Sequence, residues 1–432
     1  MKKLYPLLIA LFITPSISFS QDLHKIALEK ADEIEEKVVE WRRYFHENPE
    51  LSNREYKTGE KIAEHLKSLG LEVETGIAHT GVVGLLKGGK PGPVVGLRAD
   101  IDALPVTERN DLAFKSEVVT EYNGQETGVM HACGHDTHIA IMMGVAEVFS
   151  EMKEDIPGTI KFIFQPAEEG VPAGERGGAK MMVEEGVLKN PDVEAIFGLH
   201  INAGTTVGHI KYKQEGIMAA SDRFTITIKG QQAHGSTPWA SVDPIAISAR
   251  IINGLQYIIS RNAELTNEAA VITVGIMKGG VRYNIIPEEA YLEGTIRTLD
   301  EEMRKMIHEK IKITAEKIAE IEGATVEVEI TENAPLTYNE PALTQKMASS
   351  LQKTVGADKL HVMKAITGAE DFSYFQNEIP GLYFFIGGKP MEEPEGQALG
   401  GHHTPDFYID ESGMITGVKA FINLTLDYLQ GE

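Results

Sequence analysis

The chain has 432 residues, of which 42% are apolar and 24% charged, a composition typical of globular proteins and not of disordered or fibrous ones. Its length predicts two or three domains. Acidic residues outnumber basic ones 64 to 41, and the formal net charge of −23 disfavours binding to nucleic acids and anionic lipids. Because there is a single cysteine, Cys133, no intrachain disulfide can form and packed cores must stabilise the fold.

The first twenty residues have the features of a cleavable export signal. Lys2 and Lys3 precede an apolar run at 7–13, and Ser18-Phe19-Ser20 places small residues where a signal peptidase reads them. The apolar run is too short to span a bilayer. We therefore predict a signal peptide at residues 1–20 and export to a periplasm or the medium, without membrane attachment after cleavage. A buried N-terminal helix is the alternative.

The next elements alternate between helices and strands. Helical patterns over residues 21–70 predict two helices, separated by a break at Asn48-Pro49. The predicted strands that follow are 94–97, 159–164, 195–199 and 382–386. The predicted helices between and after them are 139–152, 179–187 and 341–355. This alternation predicts an α/β fold with a mostly parallel sheet, covered by helices on both faces.

Residues 217–332 interrupt this pattern. Their predicted strands are 224–228, 271–276, 290–297 and 326–330, and their predicted helices are 243–261 and 301–321. The order βαββαβ is that of a ferredoxin-like unit. We therefore predict a catalytic domain at 21–216 and 333–432 with an inserted domain at 217–332. One sheet face of this insert must meet solvent, the main domain or a second copy of the chain.

Potential metal ligands follow several of the predicted strands. The segment 131–138, His-Ala-Cys-Gly-His-Asp-Thr-His, contains three histidines, a cysteine and an aspartate. Similar donors stand at four other places in the chain: Asp100 and Asp102, Glu168 and Glu169, His200, and His402 and His403. Because ligands of an open α/β sheet bind at the carboxyl ends of its strands, we expect these segments to converge at one edge.

This set of donors suits two divalent cations. Thiolate, imidazole and carboxylate groups bind zinc, and manganese, nickel and cobalt accept them as well. The predicted ligands are Cys133, His135, Glu169, His200 and one of the pair His402 and His403. Glu168 would be free to move protons. Asp100 and Asp102 either ligate directly or form a structural turn. The competing interpretations are a core cysteine, a solvated glutamate pair and a core histidine.

Other chemistries leave weaker signals. The chain contains neither a G-x-S-x-G elbow nor an H-E-x-x-H helix. Residues 84–90 imitate a phosphate-binding loop, but Pro91 stands where a Ser or Thr is required, and we predict a hairpin turn there. Two alternatives stay open: Cys133 as a nucleophile with His135 or His138, and an exported metal-binding or solute-binding protein.

From roughly residue 42 to the C-terminus, the sequence resembles a family of co-catalytic metallopeptidases: the hippurate hydrolases, bacterial N-acyl-amino-acid amidohydrolases and plant auxin-conjugate hydrolases. The resemblance rests on five motifs in order: Arg43-Tyr-Phe-His-Glu-Asn-Pro-Glu-Leu-Ser52, Arg98-Ala-Asp-Ile-Asp-Ala-Leu-Pro105, His131-Ala-Cys-Gly-His-Asp136, Gln165-Pro-Ala-Glu-Glu-Gly170 and His403-Thr-Pro-Asp-Phe407. It implies an α/β catalytic domain with an inserted ferredoxin-like lid that often dimerises.

The resemblance also implies roles for individual residues. The two-metal ligands fall on Cys133, His135, Glu169, His200 and His403, with Glu168 as general base. His234, Arg282 and Asn284 match substrate-contacting loops of the lid, and His234 could act from a partner subunit. Asp100 and Asp136 would support the site from behind. The implied reaction is amide hydrolysis of N-acyl amino acids, and hydrolysis of dipeptides is the alternative.

Overall fold

The computed structural model describes residues 16–392 and 399–431. Most of the predicted signal peptide, residues 1–15, lies outside the described part. The helices are α1 (Ser16–Glu33), α2 (Glu35–Glu47), α3 (Tyr56–Ser68), α4 (His135–Glu151), α5 (Gly178–Glu184), α6 (Pro244–Arg261), α7 (Glu301–Glu322), α8 (Pro341–Val355), α9 (Ser373–Gln376) and α10 (Met414–Gln430). None of these helices is long and apolar enough to cross a membrane.

The strands before the insert are β1 (Glu72–Ile77), β2 (Gly81–Lys87), β3 (Lys90–Asp100), β4 (Val119–Tyr122), β5 (Gln125–Gly128), β6 (Pro157–Gln165), β7 (Ala195–Thr206), β8 (Ile210–Tyr212) and β9 (Glu215–Met218). Those of the insert are β10 (Ala220–Lys229), β11 (Ala233–His234), β12 (Ala270–Gly279), β13 (Ile285–Ile286), β14 (Glu289–Thr298) and β15 (Thr325–Ala334). The last three are β16 (Thr337–Asn339), β17 (Leu360–Val362) and β18 (Gly381–Lys389).

The main sheet has eight strands in the order β1-β2-β6-β3-β7-β18-β8-β17. Its four central strands, β6, β3, β7 and β18, run parallel. Helices α4 and α10 pack their buried apolar side chains on one face, and α5 and α9 cover the other. The buried parts of these strands are therefore mostly apolar, as coverage on both faces requires. The predicted α/β fold with a mostly parallel sheet is confirmed.

The insert forms a second sheet with its own apolar core. Its antiparallel order is β12-β14-β10-β15, with α6 and α7 packed on one face, which is the βαββαβ order expected from the sequence. Asp243 and Asp300 cap these two helices by accepting backbone N–H groups. The first and last strands, β10 and β15, pair side by side, with Ser221 opposite Ala334. The division at 217 and 332 stays a prediction.

Two local expectations were wrong. Residues 16–70 contain three helices because α1 ends at Glu33 and α2 begins at Glu35, on either side of Ile34. The turn at Gly88-Gly89 is not a hairpin, because β6 lies between β2 and β3. A Cβ at Gly88 would lie 2.2 Å from the Ile156 carbonyl oxygen, so glycine allows the chain to pass this close to its neighbour.

Candidate metal centre

The candidate ligands meet at one edge of the main sheet because the parallel strands β3 and β6 end there, beside His200 within β7. Asp100, the last residue of β3, pairs in register with Gln165, the last residue of β6. Arg98 pairs with Gly198, and His200 therefore lies level with Asp100 on β7. Glu168 and Glu169 form the turn directly after β6. The expected convergence of these segments is present.

The five predicted ligands form one continuous row of donor atoms. Cys133 Sγ lies 3.3 Å from both His200 Nε2 and His403 Nε2. His403 Nε2 is 3.1 Å from Glu169 Oε1, which in turn is 3.8 Å from His135 Nε2. The row runs from His200 through Cys133, His403 and Glu169 to His135. Glu168 lies beside its end, with Oε2 at 3.8 Å from His135 Nε2.

His135 Nε2 is buried without a hydrogen-bond partner, and Glu169 Oε1, although 3.1 Å from His403 Nε2, makes no hydrogen bond of good geometry. The Nδ1–H of His135 donates to the Asp102 carbonyl at 2.9 Å, which directs Nε2 and its lone pair toward the carboxylates. Buried polar atoms are normally satisfied, and leaving one unpaired costs about 1–3 kcal/mol. A cation bound between these atoms would satisfy both, so the donor set fits a metal centre.

The backbone before α4 is shaped to place Cys133 and His135. Gly134 has φ +95°, and a Cβ there would lie 2.4 Å from the Ile201 side chain. Only glycine fits both constraints. His135 then begins α4, and the thiol and imidazole on either side of Gly134 turn toward the same row of donors.

The choice between His402 and His403 follows from their hydrogen bonds. His402 Nε2 accepts the Ala203 N–H at 3.1 Å, and its Nδ1 donates to the Cys133 carbonyl at 3.2 Å. Both nitrogens of His402 are therefore occupied by backbone groups. His403 instead presents Nε2 to Cys133 and Glu169, and its left-handed backbone, with φ +62°, is anchored to the Ala132 carbonyl at 2.8 Å. The geometry favours His403 as the ligand.

Acidic groups lie close together in the centre. Burial, together with the charges of Glu169 and Glu168, raises the pKa of the Cys133 thiol well above its usual value. Burial and the neighbouring Glu370, Glu169 and Asp371 likewise raise the pKa of Glu168 well above its usual value. A bound cation would oppose both effects, because it stabilises the thiolate and the carboxylate.

Asp100 and Asp136 both lie behind the donor row. Asp100 accepts from His138 Nδ1 at 2.5 Å and from Arg98 at 2.7 Å, and lies 3.8 Å from His135 Nδ1. Burial opposes its ionisation, but His135, His138 and Arg98 outweigh burial and hold the pKa of Asp100 well below its usual value.

Asp136 points away from the row toward α2. Its Oδ2 lies 2.8 Å from Arg42 Nε and from His46 Nδ1. It thereby ties the start of α4, the helix that carries His135, to α2.

The sequence analysis missed Glu370 and Asp371, which lie beside Glu168. Arg98, fully buried, donates to Asp100, to Glu370 at 2.9 Å and to Asp371 at 3.1 Å. Burial raises the pKa of Asp371 to about 8, although Arg98 opposes the shift. Two features of the sequence could have pointed to these residues. Glu370 and Asp371 are an adjacent acidic pair directly before the apolar Phe372, and Arg98 is a lone arginine within the apolar part of a strand.

A cleft of about 760 Å³ opens between Glu168, Glu169 and the insert. On the insert side it is lined by Ser221, Arg297, Thr331, Glu332 and Asn333. The three predicted substrate-contacting residues, His234, Arg282 and Asn284, are not among the residues that line it. They lie together around the β11–β13 pair, where the Gly235 N–H donates to the Asn284 carbonyl at 2.8 Å. Within a single chain, the structure does not bring them to the donor row.

Comparison with known proteins identifies the family. The sequence model that describes peptidase family M20/M25/M40 matches residues 96–427. The chain belongs to this family. Thermostable carboxypeptidase 2 of Saccharolobus solfataricus is 41% identical over 92% of the chain and 96% of its own length. N-acetylcysteine deacetylase of Bacillus subtilis is 37% identical over 91% of the chain and 97% of its own length.

A solved structure agrees with this assignment. A dinuclear metal-binding M20 peptidase from Bacillus subtilis superposes with a TM-score of 0.76 at 34% identity, covering 92% of this chain and 99% of that one. Membership of the M20 family confirms the expectation of a hydrolase.

Metal content distinguishes the roles of the two adjacent histidines. We expect His403→Ala to lower bound metal from about two ions per chain toward one, because it removes a donor from the row. His402→Ala should retain both ions with about 10–100-fold weaker affinity, since His402 only positions the Cys133 backbone. Elemental analysis after dialysis measures both variants. Equal metal loss in the two variants would contradict the assignment.

Proposed function

We propose that the protein hydrolyses the amide bond of N-acyl amino acids and releases a carboxylic acid and a free amino acid. The observation that carries this proposal is the row of five donors with Glu168 beside it, in a chain of the M20 family. A relative that deacetylates N-acetylcysteine supports an N-acyl amino acid as the substrate.

In this proposal Cys133, His135, Glu169, His200 and His403 hold two divalent cations, whose identity among zinc, manganese, nickel and cobalt is open. A dinuclear metal-binding relative of similar fold supports the number of ions. When bound, the cations lower the pKa of a water molecule and polarise the substrate carbonyl. Asp102 assists by accepting the Nδ1–H of His135, which fixes the ring with Nε2 toward the centre.

Glu168 moves the proton. Its carboxylate lies beside the donor row, where it can accept a proton from water as the oxygen attacks the acyl carbon. It then gives the same proton to the amide nitrogen as the C–N bond breaks. The amino acid leaves as an amine, and the acyl group keeps the water oxygen as a carboxylic acid.

We also propose that His234, Arg282 and Asn284 act on the substrate of a partner chain in a homodimer that forms through the insert. The Ser236 N–H donates to His234 Nδ1 at 3.0 Å, so the ring proton is on Nε2, which suits donation to an oxyanion. Arg282 is exposed and can grip a substrate carboxylate with two hydrogen bonds. Exposed Val281 and Tyr283 on the same loop support burial against another surface.

A second candidate is cleavage of short peptides. The similarity to a thermostable carboxypeptidase favours it, since peptide and acyl-amino-acid bonds are the same amide. A third reading, Cys133 as nucleophile, is weaker, because burial and two carboxylates disfavour its thiolate. A protein that only binds solutes or metals would not need Glu168.

Substrate panels distinguish these candidates. We expect turnover of N-acetyl, N-benzoyl or indole-acetyl amino acids to exceed that of dipeptides by at least about tenfold in kcat/KM, the effect of roughly 1.4 kcal/mol in transition-state binding. Chelation should abolish activity, and an added divalent ion should restore it. Faster dipeptide cleavage would favour the second candidate. Full activity in a metal-free preparation would favour the cysteine mechanism.

Mixed dimers test Glu168 and His234 together. We expect Glu168→Gln to keep both metal ions and lose at least about 10³-fold in kcat, because Gln cannot accept the proton. His234→Ala should lower kcat about 10²–10³-fold by removing an oxyanion donor.

If His234 acts across a dimer, the two variants complement each other. Dissociating and reassociating an equal mixture should recover about a quarter of wild-type activity, because half the dimers are mixed and each has one complete site. Light scattering checks the dimer. No recovery from a confirmed mixed dimer would place His234 on its own chain's substrate.

We further propose export, with the signal peptide at residues 1–20. The charged, apolar and small residues of that segment support it. Mass spectrometry of protein from a secreting host should find the mature chain beginning at Gln21. An intact N-terminus in an exported fraction would contradict cleavage.

A further inference from the structure

Glu55 is a fully buried carboxyl group that the proposed reaction does not use. It lies at the start of α3, and α3 contributes no metal donor. Its Oε1 accepts the Ala167 N–H at 2.9 Å, and its Oε2 accepts the Thr80 hydroxyl at 2.6 Å. Glu55 thus joins the start of α3 and the start of β2 to the turn that carries Glu168.

That turn depends on contacts from outside itself. Ala167 has φ +53°, a left-handed conformation that a residue with a side chain rarely adopts without support. Two carboxyl groups hold the backbone on either side of Glu168: Glu55 accepts the Ala167 N–H, and Asp102 accepts the Glu169 N–H at 3.0 Å. Asp102 also bonds to His135, whereas the bonds of Glu55 reach only Ala167 and Thr80.

The surroundings of Glu55 leave it little freedom. A Cβ at Gly59 would lie 2.7 Å from the Thr80 carbonyl oxygen, so the first turn of α3 packs directly on the backbone just before β2. A Cβ at Gly81 would lie 3.0 Å from Pro166 Cδ, so β2 in turn packs on the turn before Glu168. The carboxyl group is fixed at the junction of three segments.

We propose that Glu55 is a positioning residue, which holds the Ala167 backbone so that the Glu168 carboxyl group stays at the end of the donor row. This inference rests on the proposed role of Glu168 in amide hydrolysis. Glu55 acts through the backbone and contacts neither the substrate nor the predicted metal ligands.

Two substitutions at Glu55 separate positioning from charge. In Glu55→Gln, the amide oxygen can accept the Ala167 N–H, and its NH₂ group can donate to the Thr80 hydroxyl oxygen, so both contacts persist. Burial and the charge of Asp102 raise the pKa of Glu55 to about 8, so near neutral pH the native group already resembles glutamine in charge. We expect kcat of this variant to stay within about threefold of wild type.

In Glu55→Ala both contacts are lost. We expect kcat to fall about 100-fold, the cost of roughly 1 Å of misplacement of a reacting group, with KM within about twofold and metal content unchanged. The control is Glu50→Ala in the same loop. Glu50 caps α3 by accepting the Thr58 N–H at 2.8 Å and does not contact the turn, so its loss should lower stability and leave kcat unchanged.

Amide hydrogen exchange provides a readout that needs no substrate. Exchange in a peptide covering residues 163–170 should be faster in Glu55→Ala than in wild type, and unchanged in Glu55→Gln and Glu50→Ala. This result supports the positioning role even if the proposed substrate class is wrong. If Glu55→Ala does not fold, Thr80→Val replaces it, with a smaller increase in exchange and a smaller fall in kcat.

Three results would overturn the inference. They are unchanged exchange across the turn, a loss of metal in proportion to the loss of kcat, and a Glu55→Gln variant as inactive as Glu55→Ala. The second would mean that Glu55 supports the metal ligands, and the third that its charge is what matters.

Discussion

A cluster of acidic groups at the edge of the main sheet is the constraint on which this structure depends. Six carboxyl groups and a thiol lie together at the edge of the main sheet: Asp100, Asp102, Glu168, Glu169, Glu370, Asp371 and Cys133. Arg98 is buried among them and reaches three of the carboxylates on one side. The other side ends in unpaired His135 Nε2 and Glu169 Oε1. Burying charge without compensation is costly, so this side of the site is built around cations.

The parallel sheet is what brings these acidic groups together. Strands β3 and β6 end at the level of His200 in β7, so residues far apart in sequence, such as Asp100 and His200, become neighbours without long loops. The apolar layers on both faces of the sheet keep the surroundings rigid and dry. Short hydrogen bonds to the backbone, such as His135 to the Asp102 carbonyl, then set which nitrogen of each ring faces the centre.

Much of this could be predicted because the physical rules involved are local or follow from the strand pattern. The spacing of apolar residues, helical in some segments and alternating in others, predicted α8 at 341–355 and the six main elements of the insert. The positions of the potential ligands at and after the predicted strands led us to expect that they converge at one edge of the sheet. What could not be predicted depends on tertiary contacts. The position of β6 between β2 and β3 leaves no mark on either strand, and Glu370 and Arg98 are 272 residues apart. His402 and His403 are distinguished by what their ring nitrogens contact, which is backbone groups for His402 and the Cys133 and Glu169 side chains for His403.

The pairing of β10 with β15 has a consequence for how the chain is organised. The polypeptide enters and leaves the insert through two adjacent, hydrogen-bonded strands, at Ser221 and Ala334. A unit attached in this way can be deleted or exchanged, and a short connection would rejoin the remaining chain without disturbing the eight-stranded sheet. Because the two connections lie side by side, we expect any rigid-body rotation of the insert to occur about this strand pair.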